Sequence, residues 1–485
     1  MVQSLSWFFL LLAGFAEAQT GTAPLPAVTA DEIVAPWADA VGGEKPRESA
    51  RQFRFAAGSN ALKIPIVEDN GHIFVQGTVD GFGPVWMTLD TGAGGAIVDK
   101  ALVKNFGIKP TGTLQAEGAG GVETEETATN VSFGLPGLSL HRQSTGVLPL
   151  DFISRRTGRS VAALLGYEFF ANFAVEIDFA GERMNLYDPR TFHYSGRGEI
   201  VPLEFHDNLP YIDASLKMPD GEVATGKFVV DLGSDISVIV PQNYAAKHNL
   251  LKSLHPTMEV TARGVGGGEV RTVNARIAGI QIQQTFVAGP IAAFPQNSQG
   301  FVAGENSVGN MGGSLLRHFH VIFDYSRQQM ILEQGADFAE PFDADASGLR
   351  VIASGPKLET VSIAAVVAGS PAVEAGLQIG DQLMALDGRP VPEIRMLKKI
   401  FRQDGRELEL TVKRAGTVEV RKLRLRKDFM SCLPPLSQAE CLCAEKRAVP
   451  LPALESVYSW LTSSQFRYIT IQGSRSMEEG RGGPR

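Results

Sequence analysis

Cysteine is nearly absent: 485 residues contain three, Cys432, Cys441 and Cys443, all in the C-terminal tail. Everything before them has no disulfide and no thiolate metal site, so it must stand on its apolar core. Cys441 and Cys443 form C-x-C with no His at ligand spacing, which excludes a zinc site there. Positive charge is also short, with 45 Lys and Arg against 53 Asp and Glu and a net charge of -8. The cations are scattered rather than striped, so a nucleic acid is excluded as the main partner. Long apolar runs are missing but for Trp7–Ala13, too short to span a bilayer and followed by the small-x-small triplet Ala16-Glu17-Ala18. This pattern predicts a signal peptide over 1–18, export to a periplasm or the exterior, and no integral membrane span after cleavage. No Cys lies at the cleavage point to carry a lipid anchor. What is abundant is glycine, 52 residues, in a chain 44% hydrophobic. Length and composition together predict several globular, turn-rich, mainly β domains.

Residues 19–60 lack periodicity and read as an irregular extension; short β runs separated by Gly, Asn, Asp and Pro turns begin near residue 61. An internal duplication then organises the chain. Each half has a strand, a tight turn (Asp80-Gly81, Asp220-Gly221), a second strand, and an Asp-x-Gly phrase: Asp90-Thr91-Gly92-Ala93, then Asp231-Leu232-Gly233-Ser234. Downstream, Gly118, Gly120 and Gly121 correspond to Gly264, Gly266, Gly267 and Gly268, each set the expected tip of a flexible hairpin. Finally Leu164-Leu165-Gly166 aligns without a gap to Asn310-Met311-Gly312, and the same register pairs Phe173 with Phe319, Val175 with Val321 and Met184 with Met330. Three matches in one order predict two equivalent lobes, 61–200 and 201–336.

Two carboxylates brought together on a symmetry axis cannot both ionise easily, so the pair can hold one proton and act as acid and base at once. This order of motifs over residues 61–336 resembles the aspartic proteases, with their pepsin-like and retropepsin-like members. The resemblance implies two closed β lobes about a pseudo-twofold axis, a polypeptide substrate in the cleft between them, and Asp90 and Asp231 as the catalytic dyad with no cofactor or metal. It implies that Thr91, Gly92, Gly233 and Ser234 support the dyad and that the glycine tips act as flaps. By the same resemblance the residue after each Asp carries a hydroxyl that ties the lobes together; Thr91 fits and Leu232 does not. Ser234 is instead expected to bond the Asp231 carboxylate.

A small α+β module follows at 345–430. Its string Gly369-Ser370-Pro371 to Gly376-Leu377, then Ile379-Gly380-Asp381 to Asp387-Gly388, gives a proline-started, glycine-stopped helix, a turn, a strand and a turn. This resembles a PDZ domain, which implies a peptide carboxylate held by backbone N–H groups around Gly348, Leu349, Arg350 and Val351, and an extended peptide added as an edge strand. Arg350 stands where the usual second glycine would be. Residues 431–485 read as a mostly disordered tail with one helix near Leu454–Leu461.

Rival motifs fail on context. Gly221–Lys227 nearly spells a phosphate loop, but Phe228 replaces the required hydroxyl; His318 and His320 lie at an element boundary and read as surface residues. The sequence therefore predicts an exported aspartic endopeptidase with a PDZ-like recognition or regulatory module. Leu232 keeps a second reading open, an inactive relative that only binds peptides through the cleft and the PDZ-like scaffold.

Overall fold

The computed structural model describes residues 6–9, 52–69, 71–118, 121–255, 257–263, 269–296, 307–342 and 345–427. The expected flap residues Gly120, Gly264, Gly266, Gly267 and Gly268, the helix near 454–461 and the three cysteines lie outside them, as does most of the expected signal peptide, of which only the short strand Ser6–Phe9 is described. The architecture is mainly β.

The duplication read in the sequence is a duplication of strand topology. In lobe one, β1 (Phe82–Leu89) runs into Asp90 and lies parallel to β2 (Val161–Leu165), with Leu89 beside Leu165. In lobe two, β3 (Val223–Asp231) lies parallel to β4 (Ser307–Gly312), with Asp231 beside Gly312. A short antiparallel strand follows each Asp-x-Gly loop and pairs with β2 or β4: Ala96–Asp99 in one lobe, Val238–Ile239 in the other. β1 and β3 turn from exposed to buried along their length, so both carry their Asp into the core. β2 is apolar and buried at all five positions, as a strand covered on both faces must be.

After β2, α1 having preceded it at Asp151–Thr157, Gly166 starts α2 (Tyr167–Asn172); after β4, Gly312 precedes α3 (Gly313–Leu316). A Cβ at Gly166 would collide with the Gly95 carbonyl, and one at Gly312 with the Ile236 carbonyl. Only glycine lets these helix starts press against the Asp-x-Gly loops. The chain then forms Ala174–Asp178 in lobe one and Phe319–Asp324 in lobe two, which pair antiparallel across the axis, Ala174 with Asp324 and Asp178 with His320. The lobes thus share one continuous sheet. Below it Phe170 stacks on Tyr325 at 5.6 Å and meets Phe323 edge-on at 5.4 Å, so aromatic side chains of both lobes fill a common core.

Phe53–Phe55, expected to be irregular, is a strand paired with Leu138–Leu140. Phe53 and Phe55 both pack edge-on against Phe173. Aromatic burial overrode the composition of that extension.

Residues 345–427 form a separate six-stranded sheet with its own apolar cluster, including Ile363, Leu397, Phe401 and Leu410. Its edge strand is β5 (Leu349–Ser354), and α4 (Ile394–Phe401) buries Ile394, Leu397 and Phe401 beneath it. Asp381 in the turn before the Gln382–Leu386 strand is gripped by Arg414 through Nε at 2.7 Å and Nη2 at 2.6 Å.

Because Phe170 fills the core both lobes share, Phe170→Ala is expected to cost about 3–5 kcal/mol. Urea unfolding of the full chain should show one shifted transition; an unchanged midpoint would mean that the lobes do not depend on this contact.

Candidate active site

Each Asp-x-Gly loop shapes itself and receives its twin. The Gly92 N–H donates to Asp90 Oδ1 at 2.8 Å and the Gly233 N–H to Asp231 Oδ1 at 2.7 Å. Gly92 lies against the Asp231 carboxyl, and Gly233 against that of Asp90, so close that a Cβ at either would overlap it. The two glycines therefore do two jobs at once: they donate to one carboxylate and leave room for the other. Asp90 and Asp231 are both buried, 1% and 0% exposed, and their side chains are within hydrogen-bonding reach of each other.

Burial raises the pKa of both carboxyls, and for Asp231 the charge of Asp90 raises it further. Asp90 Oδ2 is buried and meets no donor among the described residues, the position a shared proton would satisfy. The pair titrates as a unit, its second proton leaving above the usual carboxylate range.

Thr91 reaches across to the other lobe. Its hydroxyl donates to the Val230 carbonyl at 2.7 Å and accepts the Leu232 N–H at 2.9 Å. The Leu232 side chain is fully buried in the common core and returns no bond. One hydroxyl thus serves both backbone groups of the opposite loop.

Ser234 does not take its expected place. Its hydroxyl accepts the Ile236 N–H at 3.4 Å, while the outer oxygen of Asp231 is met by Asn310 Nδ2 at 2.7 Å. Asn310 is fully buried on β4. Its twin in the repeat is Leu164, and a polar residue replacing an apolar one in a buried strand was the signal that could have found it. The loops after the dyad are held by twin positions too. The Glu168 carboxyl accepts the Ala96 N–H and is pushed up to about 7 by burial. Ser314, its counterpart, donates to the Asp235 carbonyl at 2.7 Å. Beneath the dyad Tyr325 is buried, and desolvation together with Tyr167 and both aspartates holds its hydroxyl neutral.

Residues 75–169 match the family model described as aspartyl protease, and residues 362–414 that of the PDZ domain. The chain carries an aspartyl protease-like domain followed by a PDZ domain. The matched part of the protease-like domain holds Asp90; Asp231 lies beyond it. Among solved structures, the basic 7S globulin from soybean is 10% identical, with 59% of this chain and 98% of that chain covered and a TM-score of 0.35. The aspartic proteinase from Irpex lacteus is 13% identical, with 58% and 99% covered and a TM-score of 0.39. None of the curated proteins matches the chain.

The remaining expected residues are placed as follows. Gly118 and Gly121 face each other at the end of the hairpin Gly112–Gly118 and Gly121–Leu135. In the PDZ domain, the N–H groups expected to receive a peptide carboxylate are partly spent. Asp345 Oδ1 takes those of Ser347 and Gly348 at 2.8 and 2.7 Å, and the Ser347 hydroxyl takes that of Leu349 at 2.9 Å. An internal carboxylate fills the nest, which corrects the assignment of Gly348 and Leu349. Val351 is buried within the PDZ core, and Arg350 beside it is exposed. Among the described residues no group of His, Cys, Asp and Glu could hold a metal ion, and no helix is long and apolar enough to cross a membrane.

Thr91→Val keeps the shape but orphans the Val230 carbonyl and the Leu232 N–H, at about 1–3 kcal/mol for each buried group. The expected result is a lower melting temperature and loss of most peptide-cleaving activity, whereas Thr91→Ser keeps both. Asn310→Leu, which copies lobe one, should raise the upper pKa of the pair by removing a donor to the ionised form. The basic limb of an activity–pH profile reads it; an unmoved limb would remove Asn310 from the dyad.

Proposed function

We propose that the chain is an exported aspartic endopeptidase that hydrolyses extended polypeptide segments with a water molecule activated between Asp90 and Asp231. The observation that carries this reading is the mutual cradle of the two loops: two buried carboxyls in hydrogen-bonding reach, each seated on the other's glycine. In the monoprotonated pair the ionised carboxyl takes a proton from water as its oxygen attacks the peptide carbonyl. The protonated carboxyl gives its proton to the carbonyl oxygen. Collapse of the tetrahedral adduct breaks the C–N bond, a proton passing to the departing amine. No charge leaves the dyad, so a dry, buried site suits the reaction.

The alternative of an inactive peptide binder was motivated by Leu232. Thr91 answers that motive, since it supplies both bonds between the loops from one side. Export is supported by the sequence pattern of residues 1–18. Hairpin flaps over the cleft are supported by the glycines placed at equivalent points of the two lobes.

Asp90→Asn separates function from stability. Its folded-state pKa is raised, so the fold is favoured with Asp90 protonated, and that advantage is lost as pH rises through the folded value. Above that value the ionised pair costs stability. Asp90→Asn is therefore expected to abolish cleavage of casein or a peptide library while raising the melting temperature at pH 7. The gain should vanish below the ordinary carboxylate range. Equal cleavage by variant and parent would end the dyad mechanism.

A further inference from the structure

The PDZ domain is bound to the protease-like domain by charge and not by a shared apolar core, the two apolar clusters being separate. α1 of lobe one packs against both β5 and α4, the two elements that would border an added peptide strand. Gly158, which ends α1, stands with its Cβ direction 3.7 Å from the Ile394 Cβ of α4. On one side of this contact Lys398 of α4 pairs with Asp69 at 3.0 Å, and Arg159 joins the same carboxylate at 3.1 Å. Arg395 of α4 pairs with Glu182. On the other side Arg156 of α1 pairs with Asp235, four residues past Asp231. Arg350 is exposed at the start of β5. Against the effect of burial, the positive field of Arg156, His72, Arg350 and Lys398 holds the Asp235 carboxyl below its ordinary range.

The twin of Asp235 in lobe one is Gly94, so this cluster exists on one side of the axis only, the side on which the PDZ domain sits. A carboxylate this well enclosed needs compensating cations, and lobe two brings none of those named. The ion pair comes from Arg156 of α1, the helix against which β5 and α4 of the PDZ domain pack.

We infer that the PDZ domain is a structural part of the candidate active site: its groove is filled by α1 of its own chain, Lys398 and Arg395 of α4 are positioning residues that hold it there through Asp69 and Glu182, and Arg156 of the same α1 fixes the 231–237 loop through Asp235. This rests on the protease reading for its kinetic consequence but not for its structural one. A peptide end is then not the resident of the groove, in keeping with the Asp345 carboxylate already seated in the nest.

The full chain carrying Arg395→Met, Lys398→Met or both tests this, with Arg406→Met, which loses only its bonds to Asp387 and Gln403 within the PDZ domain, as control. Hydrogen exchange of residues 231–239 is expected to accelerate about fivefold or more in the double variant, with residues 85–95 unchanged. kcat should fall with KM nearly constant, Arg395→Lys should restore it, and Asp235→Asn added to the double variant should cause no further loss. Unchanged exchange, or losses that multiply, would overturn the inference even in an active enzyme. The exchange result stands by itself if the parent and Asp90→Asn prove equally inactive, which would sink the protease reading alone. A disulfide from Gly158→Cys and Ile394→Cys, with the tail cysteines changed to Ser, locks α1 to α4 at a suitable Cβ separation. Activity retained on oxidation is expected; activity that appears only on reduction would mean that the PDZ domain must leave for catalysis.

Discussion

The fold is organised around an unfavourable act, the burial of two like carboxyls against each other. Neither aspartate has a cation among the groups that most strongly shift it; what opposes ionisation is desolvation and the partner's charge. Such a pair persists only where the surroundings over-determine it. Here they do so by closing each Asp-x-Gly loop on the opposite carboxyl, by threading Thr91 between the loops, and by running one sheet through both lobes. The apolar interior beneath, with Phe170, Phe323 and Tyr325, is what makes the exclusion of water affordable.

The two halves began as one pattern and now divide the labour. Lobe one supplies the hydroxyl that holds the opposing loop, and lobe two supplies the amide that holds the outer oxygen of its own Asp. Glu168 and Ser314 occupy the same place in the repeat and hold the corresponding loops of the two lobes by opposite hydrogen-bond roles. Asymmetry of this kind matters chemically. Desolvation and the charge of Asp90 favour the protonated form of Asp231 while the Asn310 amide opposes them, so the pair shares its proton between unequal environments.

What could be read from the sequence was whatever repeats. The two equivalent β lobes and the approach of Asp90 to Asp231 follow from three matched motifs in order, whereas the parallel pairing of β1 with β2 and β3 with β4 and the strands that pair across the axis are added by the structure. What could not be read was whatever differs between the repeats or depends on side-chain reach. Asn310 was hidden because it sits in a strand core where periodicity predicts an apolar residue, and Ser234 was mistaken for its substitute because only spacing was visible. The Asp345 nest is not legible in the sequence because its acid lies three residues before Gly348, outside the string that resembles a PDZ domain.

The same reasoning bears on Arg350. As a departure from a glycine-rich binding loop it reads from sequence as damage to peptide binding. A long cation at the start of an edge strand can instead reach beyond its own domain, because its donors lie several bonds from the backbone. Its charge, with those of Arg156 and Lys398, favours the ionised form of an acid that the Asp-x-Gly loop of lobe two carries and that of lobe one lacks. What seats the PDZ domain is α1 together with the pairs of Lys398 with Asp69 and of Arg395 with Glu182. A module attached in this way has exchanged a ligand for a neighbour.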